Sequence, residues 1–393
     1  MWPTATIGGT CKIFSGGTPS KANADYWSGS IPWVSAKDLK ADRIFDADLH
    51  ISQQACDESA TKMAPIGSLL MLVRGMGLAN GIQVGEVTSP VAFNQDLRAI
   101  VPPSTLDSRF LLLALRHRLS DAANGVLSSA AHGTLKIDAD ALGRVEISVP
   151  PLTEQLRIVA ILDEALAGIA TAKDNAQKNR RNASEFFNGH RQSIFWQNRI
   201  RWPRKLLGEI ADVQSGGTPF VSTRSFWGGG IAWYSSGELN DLYTSESDRH
   251  ITEAGLAGSN AKLFPKGSLL IGMYDTAALK MSLLDRDGSF NQAIAGVRPS
   301  DAFEPAFLRH SINAEKEALL SLRRGVRQKN LSLAKIKAIE IPLPNIEEQR
   351  VVVAQLAEAS SLVDRLERNY LQKAAALNEL QKSLLNQAFA GAL

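Results

Sequence analysis

Ser15-Gly16-Gly17-Thr18-Pro19, followed by Trp27, Ile31, Trp33 and Ser35, returns as Ser215-Gly216-Gly217-Thr218-Pro219, Trp227, Ile231, Trp233 and Ser235. Every pair is separated by 200 positions. The match extends outward in both directions. Trp2-Pro3 and Gly8 answer Trp202-Pro203 and Gly208, and His50-Ile51 answers His250-Ile251. Gly67-Ser68-Leu69-Leu70 answers Gly267-Ser268-Leu269-Leu270. Further on, Phe93-Asn94-Gln95 answers Phe290-Asn291-Gln292 at an offset of 197, and Glu154-Gln155 answers Glu348-Gln349 at 194. Small deletions in loops produce such drift at little cost. Two copies make a duplicated domain, since a solenoid needs three or more short units. A doubled unit can give two binding faces.

Within each copy, short apolar runs lie between turn signals. Ile31-Pro32-Trp33-Val34, Leu69-Leu70-Met71-Leu72-Val73 and Ile82-Gln83-Val84 read as strands. Residues 107–119 read as a helix, with Asp107 or Ser108 as cap and Leu112, Leu115 and Leu119 on one face; residues 304–322 match it. Each copy is therefore α+β. After Pro150-Pro151 the texture changes. Ile158, Leu162, Ala165, Ile169, Ala172, Ala176, Ala183 and Phe186 follow a 4-3 spacing, as do Val352, Leu356, Ala359, Val363, Leu366, Tyr370, Leu377, Leu380 and Leu384. These are two long helices with apolar seams. About 40 residues at ~1.5 Å each give a rod of roughly 60 Å. Thr153 and Asn345 are candidate N-caps, with Pro151 and Pro344 just outside. The expected domains are 1–151 and 201–345 for the globular copies, and 152–200 and 346–393 for the helices. An antiparallel pair of these helices, with the copies related by a pseudo-twofold axis, satisfies both seams; a homodimeric coiled coil is the alternative.

Composition narrows the function classes. Cys11 and Cys56, the only two cysteines among 393 residues, exclude a disulfide framework and a cysteine-built zinc site. The six histidines show no metal-ligand spacing, and His50 and His250 at equivalent positions favour a framework role. Met1-Trp2-Pro3-Thr4 is no secretory signal, and the aliphatic cluster Leu111 to Leu115 is far short of a membrane span. A soluble cytoplasmic protein is the expectation. The net charge of +3 decides little about nucleic acid. There is no Walker A sequence, dinucleotide fingerprint or nucleophile elbow; the glycines at 16 and 17 read as a tight turn. Asp38-Leu39-Lys40 is an isolated Asp-x-Lys without a Pro-Asp partner. These patterns favour a binding protein over an enzyme.

The candidate binding residues are loop positions. Arg323, Arg324, Gly325, Arg327, Gln328, Lys329 and Asn330 place four cations around a glycine within seven positions of one another, and Gly133, Thr134 and Lys136 lie in the matching stretch. Arginine, glutamine, lysine and asparagine contact phosphates and read base edges, and glycine lets a phosphate approach the backbone. A solvated basic loop is the bland alternative. Between the copies the frame is kept while tips diverge: Lys37-Asp38-Leu39 becomes Gly237-Glu238-Leu239, and Arg74-Gly75-Met76-Gly77 becomes Tyr274-Asp275-Thr276-Ala277. Two readers of different sequences would show this, and so would drift on exposed loops. Gln95 and Gln292 could turn the chain or touch a base. Trp27, Trp33, Trp227 and Trp233 read as core.

Gly325-Val326-Arg327-Gln328-Lys329-Asn330-Leu331-Ser332, then Ile339-Glu340-Ile341-Pro342-Leu343-Pro344, then Glu348-Gln349-Arg350, resembles the end of a target recognition domain in the specificity subunits of type I restriction–modification systems. The ending Ser383-Leu384-Leu385-Asn386-Gln387-Ala388-Phe389-Ala390-Gly391-Ala392-Leu393 resembles their C-terminal signature, and the Ser-Gly-Gly-Thr-Pro turns resemble their opening turn. The likeness spans the whole chain. The first helix, near Phe195 to Trp202, departs from the Ala-Phe-x-Gly-x-Leu ending. The resemblance implies a non-catalytic subunit that reads a bipartite, asymmetric double-stranded DNA target, one half per globular copy. The paired helices would set the spacer. Two methyltransferase subunits and two restriction subunits would be its partners, with S-adenosylmethionine, ATP and magnesium bound by those partners and none by this chain. A coiled-coil scaffold whose globular copies bind proteins is the rival reading.

Overall fold

The computed structural model describes residues 2–119, 126–129, 135–321 and 330–393. The chain divides into two compact units, Met1–Ala176 with Gln372–Leu393, and Gln177–Leu371. Each unit is a globular α+β body joined by parts of both long helices.

In the first unit, a five-stranded sheet runs in the order Lys12–Ser15, Leu97–Val101, Leu69–Leu72, Val84–Val87, Arg43–Ile44. Leu69, Leu70, Met71 and Leu72 are all fully buried, as an uninterrupted apolar run at the sheet centre requires. A second sheet orders Leu49–Ile51, Ile31–Val34, Val91–Phe93 and Lys62–Ala64. The helix Ser108–Arg118 begins where expected, with the Asp107 carboxylate accepting from Phe110 N at 2.8 Å. The second unit repeats the plan: Val213–Ser215, Ile294–Val297, Leu269–Gly272, Met281–Leu283 in one sheet, and Arg249–Ile251, Trp227–Tyr234, Gly288–Phe290 in the other. Its helix is shorter than expected. Pro305–Ala314 ends at Glu315, and a separate helix, Lys316–Ser321, follows. In the first copy the third apolar run also shifts: the strand is Val84–Val87, with Ile82 and Gln83 before it. Trp33 and Trp233 are buried, whereas Trp27 and Trp227 are half-buried because their indole N–H groups donate to the carbonyls of Ser20 and Phe220 at the surface.

The long helices are Leu152–Gln197 and Ile346–Ala390. Asn345 caps the second, its Oδ1 accepting from Glu348 N at 2.9 Å. Thr153 does not cap the first. That helix begins one residue earlier, and the Pro151 carbonyl accepts from Glu154 N and Gln155 N. The glutamine of each Glu-Gln pair is fully buried and clamps its helix to the globular body. Gln155 donates to Pro150 O and Thr105 O and accepts from Asp107 N; Gln349 donates to Pro344 O and Ala302 O and accepts from Glu304 N.

Within each unit the two helix segments run antiparallel. In the first, Lys173 Nζ donates to Gln381 Oε1 at 2.7 Å and Arg157 to Leu393 O at 2.8 Å. In the second, Ser184 Oγ donates to Glu367 at 2.7 Å and Arg201 pairs with Glu348. Ile158, Leu162, Ile169, Val352, Leu356 and Val363 are buried, and Leu377 and Leu384 half-buried. Leu366 is 44 % exposed and Phe186 69 % exposed, and Leu380 is exposed as well. Their expected places are taken by the half-buried neighbours Glu367, Phe187 and Gln381. A strict 3.5-residue repeat drifts against a helix of 3.6 residues per turn, so the contact row moves on by one position.

Candidate nucleic-acid interface

The opening turn of each copy is a packing device. A Cβ on Gly16 would meet Phe93 O at 2.1 Å, and one on Gly17 would meet Ala60 O at 2.4 Å. Trp33 Nε1 donates to Gly17 O at 3.0 Å, and Gly17 N donates to Phe93 O at 3.0 Å. The second copy repeats this frame with Trp233 to Gly217 O at 3.0 Å and Gly217 N to Phe290 O at 2.9 Å. Asn94 and Asn291 turn the chain, their Oδ1 atoms accepting from Asp96 N and Ala293 N. Gln95 and Gln292 remain exposed, each with its Oε1 accepting from the Thr18 or Thr218 hydroxyl at 2.5 Å. An amide held by its oxygen in this way presents its NH2 outward, the group that donates to a base edge or a phosphate.

Beside this turn lies the loop after the central strand. In the first unit, Ile137 N donates to Val73 O at 2.8 Å and Gly75 N to Leu135 O at 3.1 Å, so Arg74 stands opposite Lys136. Gly75 sits at φ +128°, which a side chain would resist. Arg74 is exposed, and Lys136 pairs with Asp138 at 2.9 Å. The Lys136 hydrogen bond holds the Asp138 carboxyl below its usual range, with a further contribution from the charge of Arg74. Arg98, which the sequence reading passed over, completes this basic group. Its guanidinium donates to Ser15 Oγ at 2.9 Å and Gln95 O at 3.1 Å, tying the turn to the loop. Burial, and then the Arg74 charge, lowers its pKa. A cation inside the strand Leu97–Val101, where the second copy has Ala295, was the available signal.

In the second unit, Leu331 N donates to Met273 O at 2.8 Å, as Ile137 N does to Val73 O. Asn330 therefore occupies the place of Lys136, and Tyr274 that of Arg74. Thr276 is exposed on the short helix Asp275–Ala277; the Asp275 side chain lies outside the description. Gly133, Thr134, Arg323, Arg324, Gly325, Arg327, Gln328 and Lys329 lie outside the described residues.

Lys37 is exposed on a turn braced by Asp38, whose carboxylate accepts from Ser35 N, Ser35 Oγ and Asp48 N. Glu238 does the same with Ser235 and Asp248. The isolated Asp-x-Lys is thus a turn brace, not part of a catalytic core. His50 and His250 lie against Asp46 and Glu246 in matching positions, a framework contact. Each unit thus presents the same backbone frame with different tips: Arg74, Lys136 and Arg98 on one, Tyr274, Thr276 and Asn330 on the other.

The chain is 32 % identical over 160 residues to the EcoR124I/EcoR124II specificity subunit of Escherichia coli, a match covering 40 % of this chain and 39 % of that one. The chain thus matches about two fifths of that relative's length. It is 22 % identical to the MjaVIII specificity subunit of Methanocaldococcus jannaschii over 99 % of this chain and 92 % of the relative. Among solved structures, a chain from work on assembly and conformational transition of the type I R-M system matches with TM-score 0.81 at 18 % identity, covering 100 % of this chain and 98 % of that chain. The HsdS subunit from Thermoanaerobacter tengcongensis matches with TM-score 0.61 at 17 % identity, covering 100 % and 97 %. These two structural likenesses show the fold. No helix among the described residues is long and apolar enough to cross a membrane. The family model for the type I restriction modification DNA specificity domain matches residues 1–178 and again residues 200–374. The chain, which carries this domain twice, therefore belongs to the family of type I restriction–modification specificity subunits.

Proposed function

We propose that the chain reads a bipartite, asymmetric DNA target, with one half recognised by each globular copy. The observation that carries this is the shared frame with unlike tips. The exposed glutamine amide recurs in both copies, while the neighbouring pair is Arg74 and Lys136 in one and Tyr274 and Asn330 in the other. Arginine and lysine suit guanine O6 and N7, and asparagine suits adenine N6 and N7, so unequal half-sites follow. The long helices act as the ruler for the unspecified spacer and, with the globular units, dock two methyltransferase subunits and two restriction subunits. Those partners bind S-adenosylmethionine, ATP and magnesium, and the complex works in the cytoplasm.

Methylome sequencing of cells carrying this chain with its cognate methyltransferase tests the reading. Methylation at a two-part motif with a fixed gap supports it. Methylation at a single continuous motif, or at sites unaffected by exchanging the chain, overturns it.

A further inference from the structure

The two copies differ sharply at one place inside their frames. In the first unit, Phe389 packs edge-on against Phe110; in the second, Phe195 packs on Phe307. This fixes the equivalence of the surrounding positions. Leu112 and Leu113 are buried in the first unit, and Leu385 packs on the same core. Their counterparts in the second unit are Arg309, His310 and Arg191. Leucine satisfies the fold at all three positions, so three cationic or titratable groups there are not a requirement of the framework.

These groups are poorly compensated. Arg191 lies over the Phe187 ring and donates to Asn188 Oδ1, but its buried Nε has no hydrogen-bond partner. Arg309 Nε donates to Met281 O. His310 is 8 % exposed, and its Nδ1 has no hydrogen-bond partner. Among the described residues no carboxylate acts on Arg191, and only Asp241 acts on Arg309, through its charge and without a hydrogen bond. Burial, then the Arg309 charge, holds Arg191 down at about 10, and burial with both arginines holds His310 at about 4. Like charges gathered out of water are costly unless an anion joins them.

We propose that Arg191, Arg309 and His310 form an oxyanion site that accepts a side-chain carboxylate from a protein partner. The site's existence stands alone; the partner rests on the assembly reading above. A protein carboxylate fits better than a DNA phosphate. His310 is recessed, and a short flexible side chain reaches where a rigid duplex backbone does not. Other faces of the same helical segment expose Phe186 and, with Arg199 stacked on it at 3.8 Å, Trp196, residue types enriched where proteins meet proteins.

The test variant is R191L/R309L/H310L, which installs the leucines the first copy already tolerates. Inorganic phosphate is the probe, titrated against chloride at matched ionic strength with thermal unfolding as readout. The wild-type chain should be stabilised by phosphate and the variant should not. The variant should also bind the methyltransferase subunit at least tenfold more weakly, with an unchanged salt dependence of DNA binding. An equal phosphate response in both chains overturns the site. A lost phosphate response with unchanged methyltransferase affinity, or with a shallower DNA salt dependence, overturns the carboxylate assignment and leaves the proposed function standing.

Discussion

Gln349→Ala tests how the second long helix is seated. The side chain is fully buried and makes three contacts, donating to Pro344 O at 2.9 Å and Ala302 O at 3.0 Å and accepting from Glu304 N at 2.9 Å. Truncation strands the Glu304 N–H and two carbonyls, with the Pro344 contact buried and the other two partly buried. A buried unsatisfied group costs about 1–3 kcal/mol, and partial rescue by water reduces the sum, so a loss of about 3 kcal/mol is expected. For a unit of this size that lowers the melting temperature by about 6–12 °C. Gln155→Ala should behave alike, because its three contacts match one for one. Urea unfolding and calorimetry of the single and double variants measure this. The two losses should add, since the sites share no partner. A loss below about 0.5 kcal/mol for either single variant would refute the clamp and reduce the Glu-Gln repeat to a surface feature.

Arg74→Ala with Lys136→Ala should weaken cognate DNA binding and lower its log–log salt slope by about two, measured by titration at several salt concentrations; an unchanged slope removes both from the DNA face. His310→Leu bears on pH. Burial and the facing Arg309 and Arg191 charges depress the folded pKa to about 4 from 6.5, so the unfolded chain takes the proton first. Stability present above pH 6.5 therefore drains as pH falls toward 4, by about 3 kcal/mol, and the variant should lack that part in urea melts at pH 7.5 and 4.5. Parallel loss in both proteins would contradict the assignment. Adding one heptad to each long helix should lengthen the recognised gap by about three base pairs, since seven residues span ~10 Å and a base pair ~3.4 Å. A methylome with an altered half-site and an unaltered gap would count against the ruler.

The duplication was legible because tryptophan, glycine and proline sit where sterics leave little choice: Gly16 and Gly17 are pinned by neighbouring carbonyls, and Trp33 by its bond to Gly17. Helix length was legible from apolar spacing. The seam itself was readable only in part, because Leu366 and Glu367 differ by one helical step and the drift of a straight helix chooses between them. Gln155 was visible as a repeat but not as a clamp, since two of its three partners, Asp107 and Thr105, lie 48 and 50 residues away. The sequence matched the stretch around Lys136 to the basic loop as a whole, while backbone pairing sets Asn330 at the Lys136 position. Arg191 and His310 gave no signal, because neither shows up until two distant helices meet.

The first compact unit draws its final 22 residues, Gln372–Leu393, from the far end of the chain, and Phe389 completes the packing around Phe110. Translation therefore finishes the bodies in the reverse of their order. The second body, Gln177–Leu371, has all its residues before the first does. Until residues 372–393 have been made, the earlier half waits with an uncovered apolar seat for its closing strap, and holdase chaperones should find it during that interval. A ribosome stalled just after Leu371 has emerged would leave this half protease-sensitive beside an already resistant neighbour.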